Sequence, residues 1–78
     1  MNNREKILTR FAANLTKLRQ AKGLSIRQLA AASGLEYSQV QRIEKGKVNL
    51  AFTTLVALAQ GLDVDVHILL QDYKIPRQ

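Results

Sequence analysis

Apolar residues in this chain recur at steps of three and four over most of its length, the spacing of side chains that share one face of an α-helix. Leu8, Phe11, Leu15 and Leu18, with Ile7 and Ala21 beside them, predict an amphipathic first helix over residues 4–22. Lys22 suits the negative end of its dipole, and Gly23 then stops it. Ser25 is a good N-cap residue and Gln28, three positions on, completes a capping-box pattern, so a second helix is expected over about residues 25–33. A third begins at Glu36 and runs to about Lys45, with Val40 and Ile43 inward and Tyr37, Ser38, Gln39, Gln41 and Arg42 on the remaining surface; Gly46 closes it. Residues 47–51 show no clear periodicity and are read as a loop. Phe52, Leu55, Val56, Leu58, Ala59 and Leu62 mark a fourth helix, its start blurred because Ala51 stands where a capping Ser or Thr is usual.

Asp65 can cap a short fifth helix in which Val66, Leu69, Leu70 and Tyr73 follow helical spacing, with Pro76 beyond it. The alternation Val64, Val66, Ile68, Leu70 also suits a strand, but that segment has no pairing partner in an otherwise helical chain, and helix is preferred. The expected fold class is all-α: one domain over residues 1–78, a compact four- to five-helix bundle with its core over about residues 7–71, free of repeats and linkers.

Between residues 25 and 45 the positions of Leu29, Ala30, Gly34, Leu35, Val40 and Ile43 have the spacing of a helix-turn-helix. Two helices that cross steeply must approach closely, which calls for a small contact residue, Ala30, while Leu29 and Leu35 plug the corner. Gly34 supplies the turn, because without a Cβ it takes positive φ at little cost. Such a corner aims the second helix outward, where a major groove could receive it.

Charge sharpens this picture once it is located. The 78 residues carry a formal +6; residues 1–22 contribute +5, residues 23–50 contribute +2 and the remainder −1. The positive excess thus lies in the corner and the segment leading into it, the footprint of a polyanion binder, although a solvated basic face kept for solubility has the same composition. A chain this short buries only about 60% of its unfolded surface, so stability must come from one shared core. No separate ligand-sensing module is expected within these 78 residues. There is no cysteine, in keeping with a reducing compartment. No apolar run approaches the roughly 18 residues of a membrane span, and residues 1–6 are polar, unlike a signal peptide; a cytoplasmic protein is expected, with no membrane partner.

The segment GLSIRQLAAASGLEYSQVQRIEKGKVNLAFTTLVALAQGLDVDVHILL, residues 23–70, together with the approach Asn14-Leu15-Thr16-Lys17-Leu18-Arg19, resembles the phage-repressor and Cro-type helix-turn-helix family, also called the XRE family. The resemblance implies a compact bundle of the lambda-repressor type, sequence-specific binding of double-stranded DNA, a homodimer, and transcriptional regulation in a bacterial or phage setting. It carries the base-reading role onto Tyr37, Ser38, Gln39, Gln41 and Arg42. The residue types suit that role: Gln can bond adenine N6 and N7 together, Arg can fork onto guanine O6 and N7, and Ser serves either partner. DNA-backbone contacts fall to Ser25, Ile26 and Arg27 at the start of the second helix, to Lys45, Lys47 and Asn49 in the loop, and to Thr53. Arg19 and Glu44 match positions that form a structural salt bridge in relatives, which is sensible physically because a carboxylate near a helix C-terminus opposes the dipole unless neutralised.

Three residues depart from the family pattern. Ile26 stands where relatives often have Gln, Glu36 replaces the commoner Ser or Thr cap, and Asp63 occupies a turn position usually held by Gly, where Asp tolerates left-handed geometry better than most residues.

Other chemistry finds little support. His67 is the lone histidine and, without cysteine, no metal site or cofactor is expected. No phosphate-binding loop, zinc-protease motif or paired carboxylates suggest catalysis, and the chain is not expected to be an enzyme. Phe11, Tyr37, Phe52 and Tyr73 are too scattered for a single-strand stacking platform. Ile68 and Ile75 lie off the stripe of the fifth helix and are expected at a dimer interface, giving a two-fold pair with recognition helices about 34 Å apart on a near-palindromic operator. Two competing functions are an antitoxin that binds its toxin partner protein through the C-terminal segment, and a protein-interaction module that binds no DNA.

Overall fold

A computed structural model describes residues 2–71 of the chain. Five helices follow one another: α1 Asn3–Ala21, α2 Ile26–Ser33, α3 Tyr37–Glu44, α4 Phe52–Leu62 and α5 Val66–Leu69. Among the described residues there is no strand, and no helix is long and apolar enough to cross a membrane.

Each start and stop has a local cause. α1 begins a residue earlier than its apolar stripe indicates, because the Glu5 N–H donates to Asn2 Oδ1 (2.8 Å) and caps the helix there. α2 opens on the full capping box: Gln28 N–H donates to Ser25 Oγ (3.0 Å) and Ser25 N–H donates to Gln28 Oε1 (2.8 Å). It closes at Gly34, whose φ of +69° lets the chain reverse. α4 starts from Ala51 without a side-chain cap and ends at Asp63, the one described non-glycine residue with positive φ (58°). Asp65 holds the N-cap backbone position of α5, but its side chain makes no cap hydrogen bond.

The core is assembled from every helix: Leu8, Phe11, Ala12 and Leu15 of α1, Leu29 and Ala30 of α2, Val40 and Ile43 of α3, Leu58, Ala59 and Leu62 of α4, and Leu69 of α5. α2 lies at its centre, packed on α4 and α3. The α2–α4 approach depends on Gly61: a Cβ there would collide with Ser33 Oγ and lie 3.1 Å from both Ser33 Cβ and its backbone nitrogen.

Two parts of the expected stripes differ. Ala21 is exposed, and Ala12 takes a buried place that the spacing of larger residues did not mark. In α5, Leu69 is buried while Leu70 is 46% exposed, because the helix stops after four residues and Leu70 has left it. So short a helix cannot satisfy its own last carbonyls. Asn14 of α1 supplies the missing donor, its Nδ2 donating to the carbonyls of Leu69 (2.7 Å) and Ile68 (3.3 Å), the latter shared with the Gln71 N–H (3.2 Å). Tyr73, Ile75 and Pro76 lie outside the described residues.

Candidate nucleic-acid interface

The outward face of α3 follows from its inward one. Val40 and Ile43, three residues apart, are buried, and Tyr37, Ser38, Gln39 and Arg42 are exposed to solvent, with Gln41 half-buried at the edge. At its start the carboxylate of Glu36 forms no cap hydrogen bond and stands exposed at the positive end of the helix dipole. Gln39 N–H and Val40 N–H donate to the Glu36 carbonyl instead (3.1 and 3.2 Å).

The far end of α3 is locked. Arg19 Nε donates to Glu44 Oε2 (2.6 Å), Arg19 Nη2 to Glu44 Oε1 (3.0 Å) and Thr16 Oγ1 to the same Oε1 (2.9 Å). The two charged side chains are only 12% and 7% exposed. Arg19 Nη1 also donates to the Leu24 carbonyl (2.8 Å), so one guanidinium ties the end of α1, the α1–α2 turn and the end of α3 together. The hydrogen bond to Glu44 raises the Arg19 pKa above its ordinary value, against the lowering effect of burial and with the carboxylate's charge assisting. The pairing of Arg19 with Glu44 is the one that the family resemblance implied; Thr16 and the Leu24 carbonyl were not marked by the resemblance or by any spacing.

At the start of α2, the capping box occupies the Ser25 hydroxyl and the amides of Ser25 and Gln28, leaving the amides of Ile26 and Arg27 as the first-turn donors. The Ile26 side chain packs against the core, so Ile26 can offer a ligand only its backbone. The Arg27 guanidinium lies 4.6 Å from the centroid of the Tyr37 ring, a cation–π contact worth about 0.5–1 kcal/mol at such an exposed site. This contact joins the first turns of α2 and α3 into one surface.

Beyond α3 the chain does have a pattern, one of period two. Val48 and Leu50 pack against the core, and Lys47, Asn49 and Ala51 between and after them are exposed. Lys45, Lys47, Asn49 and, at the start of α4, Thr53 are all exposed. The segment is short and its apolar residues few, which hid the alternation among helical patterns.

Of the residues named for self-association, only Ile68 falls among the described ones. Ile68 is half-buried, and Ile75 lies outside the described residues. Large apolar side chains exposed elsewhere are Ile7 (38%), Phe52 (72%) and Leu70, which rim a groove of about 310 Å³ floored by Leu8, Phe11 and Leu55. His67 is exposed on α5, and no group of metal-ligating side chains occurs among the described residues.

The helix-turn-helix family HTH_3 matches residues 15–69, which include the whole of α2, the turn and α3. The chain belongs to this family. It is 31% identical over 62 residues to the HTH-type transcriptional regulator DdrOP3 of Deinococcus deserti, covering 80% of this chain and 48% of that protein. The chain therefore spans about half the length of that curated relative. Among solved structures, the restriction-modification controller protein C.AhdI from Aeromonas hydrophila is 40% identical with a TM-score of 0.78, covering 80% of this chain and 94% of that one. The controller protein C.Esp1396I is 26% identical with the same score, covering 83% and 86%. An HTH_3 family transcriptional regulator from Vibrio cholerae, 24% identical with a TM-score of 0.84 over 90% of this chain and 39% of that one, shares the fold.

Proposed function

We propose that this chain is a sequence-specific double-stranded DNA-binding transcriptional regulator that seats α3 in the major groove. The observation that carries this is the division of α3 itself: Val40 and Ile43 buried, and Tyr37, Ser38, Gln39 and Arg42 exposed on a rod whose end is fixed by Arg19 and Glu44. Eight residues give a rod of about 12 Å, comparable with the width of the groove. Gln39 and Arg42 have the donor patterns for adenine and guanine; Tyr37, Ser38 and Gln41 complete the reading face. The Ile26 and Arg27 amides beside the Ser25 cap, with Lys45, Lys47, Asn49 and Thr53, meet phosphates on either side. The function is one of binding, exercised in the cytoplasm, and no residue is given a catalytic role.

Two copies are proposed to bind together on a near-palindromic operator. The groove among Ile7, Phe52 and Leu70 is an apolar surface of the kind a second copy covers, each Phe52 entering its partner's groove about a two-fold axis. Ile68, half-buried on α5, lines a different concavity with Ala59, Gln60 and Val64 and is not part of that contact.

Selection of bound sites from a random duplex library, followed by gel retardation in excess competitor DNA, tests the assignment. A recovered consensus that binds at least a thousandfold more tightly than scrambled duplex is expected, about the lower limit of specific regulators. Equal binding to all duplexes, or none, would contradict it.

A further inference from the structure

A basic concavity lies just beyond the C-terminal end of α3. It has a volume of about 540 Å³ and is walled by Asn2, Arg4, Glu5 and Thr9 from the start of α1 and by Lys45 and Lys47 from the loop after α3. These segments, more than thirty-five residues apart in the chain, meet because Gly46 has no side chain. A Cβ there would lie 3.1 Å from Thr9 Cα and 3.3 Å from its Oγ1, and the backbone is held at φ +72°. Any other residue at this point would be strained at that φ and would need the loop and Thr9 to give by a few tenths of an ångström.

Three cations therefore face one space, opposed only by Glu5 among its lining residues. The three cationic side chains are exposed. The first turn of a nineteen-residue helix adds its partial positive charge to theirs. Like charges so placed repel one another, and a phosphate group entering between them would relieve that repulsion.

We infer that this concavity is a phosphate-binding clamp, and that its occupant is a backbone phosphate of the DNA flanking the C-terminal end of α3. Arg4 is its distinctive member: it stands before residue 15, where the family match begins. The inference rests on the DNA-binding function proposed above. Together with the α2 N-terminus it would grip the duplex at both ends of the reading helix.

The test measures binding of the selected duplex by fluorescence anisotropy from 50 to 200 mM salt for the wild type, Arg4→Gln and Arg4→Lys, with thermal melts to confirm equal folding. Arg4→Gln should reduce the slope of log K against log salt by about 0.9, so that the salt-induced loss shrinks about three- to fourfold. It should weaken selected and scrambled duplexes by the same factor, and Arg4→Lys should keep the wild-type slope. A neutral methylphosphonate at the contacted phosphate should weaken the wild type more than Arg4→Gln, in which only Lys45 and Lys47 still face that phosphate. If the wild type binds its selected site while Arg4→Gln leaves affinity and slope unchanged, the clamp is overturned and the DNA-binding function stands. If inorganic phosphate at millimolar concentration shifts the amide resonances of Arg4, Lys45 and Lys47 while the salt slope is unaltered by Arg4→Gln, the cavity serves a free anion and the backbone assignment is likewise overturned. A wild type without preference for any duplex would remove the function on which the clamp rests.

Discussion

Glu44→Ala removes the acceptor of three hydrogen bonds, two from Arg19 and one from Thr16, at a pair almost closed to water. Removing one member of a buried ion pair costs about 3–5 kcal/mol, because the remaining charge is left without a partner. Arg19 keeps the Leu24 carbonyl and can draw water into the space vacated by the carboxylate, which places the loss at the lower end, about 3 kcal/mol. A chain of this length has a total stability of about 4–12 kcal/mol, so the loss is a large share of it and corresponds to a fall of roughly 12–24 °C in Tm. Circular dichroism melts and urea titrations provide the measurement, with the denaturant slope expected to stay constant while the midpoint moves. Arg19→Met combined with Glu44→Leu removes both charges and should recover most of the loss. A Tm drop equivalent to less than about 1 kcal/mol, the value of an exposed pair, would refute the reasoning. The pH dependence has a definite sign on the arginine side. The folded state raises the Arg19 pKa, so its contribution is fully present below the ordinary arginine value and is lost only as pH rises past it. The deficit of Glu44→Ala relative to the wild type should therefore persist undiminished from about pH 7 to about pH 10, well below where arginine loses its proton.

Gly61→Ala should destabilise by about 1–3 kcal/mol through the clash of its methyl group with Ser33, and Ser33→Ala alongside it should return part of the loss in a double-mutant cycle. Asn14→Ala leaves the Leu69 carbonyl without its side-chain donor and the Ile68 carbonyl with the Gln71 N–H alone, and should cost about 1–2 kcal/mol and speed amide hydrogen exchange in α5 more than elsewhere. Phe52→Ser should weaken self-association at least tenfold in sedimentation equilibrium without lowering Tm at low concentration, since the side chain is 72% exposed; unchanged association would exclude this groove. Lys47→Ala should weaken every duplex alike and flatten the salt dependence by about 0.9 in slope, whereas Gln39→Ala should cost about 1–3 kcal/mol at particular base pairs only.

The helices could be read from the chain where burial is continuous over several turns. Leu8, Phe11 and Leu15, or Leu58 and Leu62, sit at helical spacing because one core contacts them all, and the Ser25–Gln28 box and the left-handed Asp63 are decided within a few residues of themselves. The fifth helix was harder, for its four residues are held by Asn14, more than fifty positions away. Residues 47–51 hid their order because Val48 and Leu50 alternate in an extended path too short to stand out. At the candidate interface, the exposure of Ser38, Gln39 and Arg42 could be inferred from Val40 and Ile43 alone. The contact of Arg27 with Tyr37, the hydroxyl of Thr16 at Glu44 and the meeting of Arg4 with Lys45 and Lys47 depend on how separate helices are placed, and periodicity within one helix contains no information about that.

Whether the exposed face of α3 reads bases can be measured directly by replacing guanines of the selected operator, one at a time, with 7-deazaguanine, which removes the major-groove N7 acceptor and leaves Watson–Crick pairing intact. At one position the wild type should lose about 1–3 kcal/mol of affinity while Arg42→Ala, already without that contact, loses nothing further. Equal losses for both proteins at every position would mean that the Arg42 side of α3 does not face the groove.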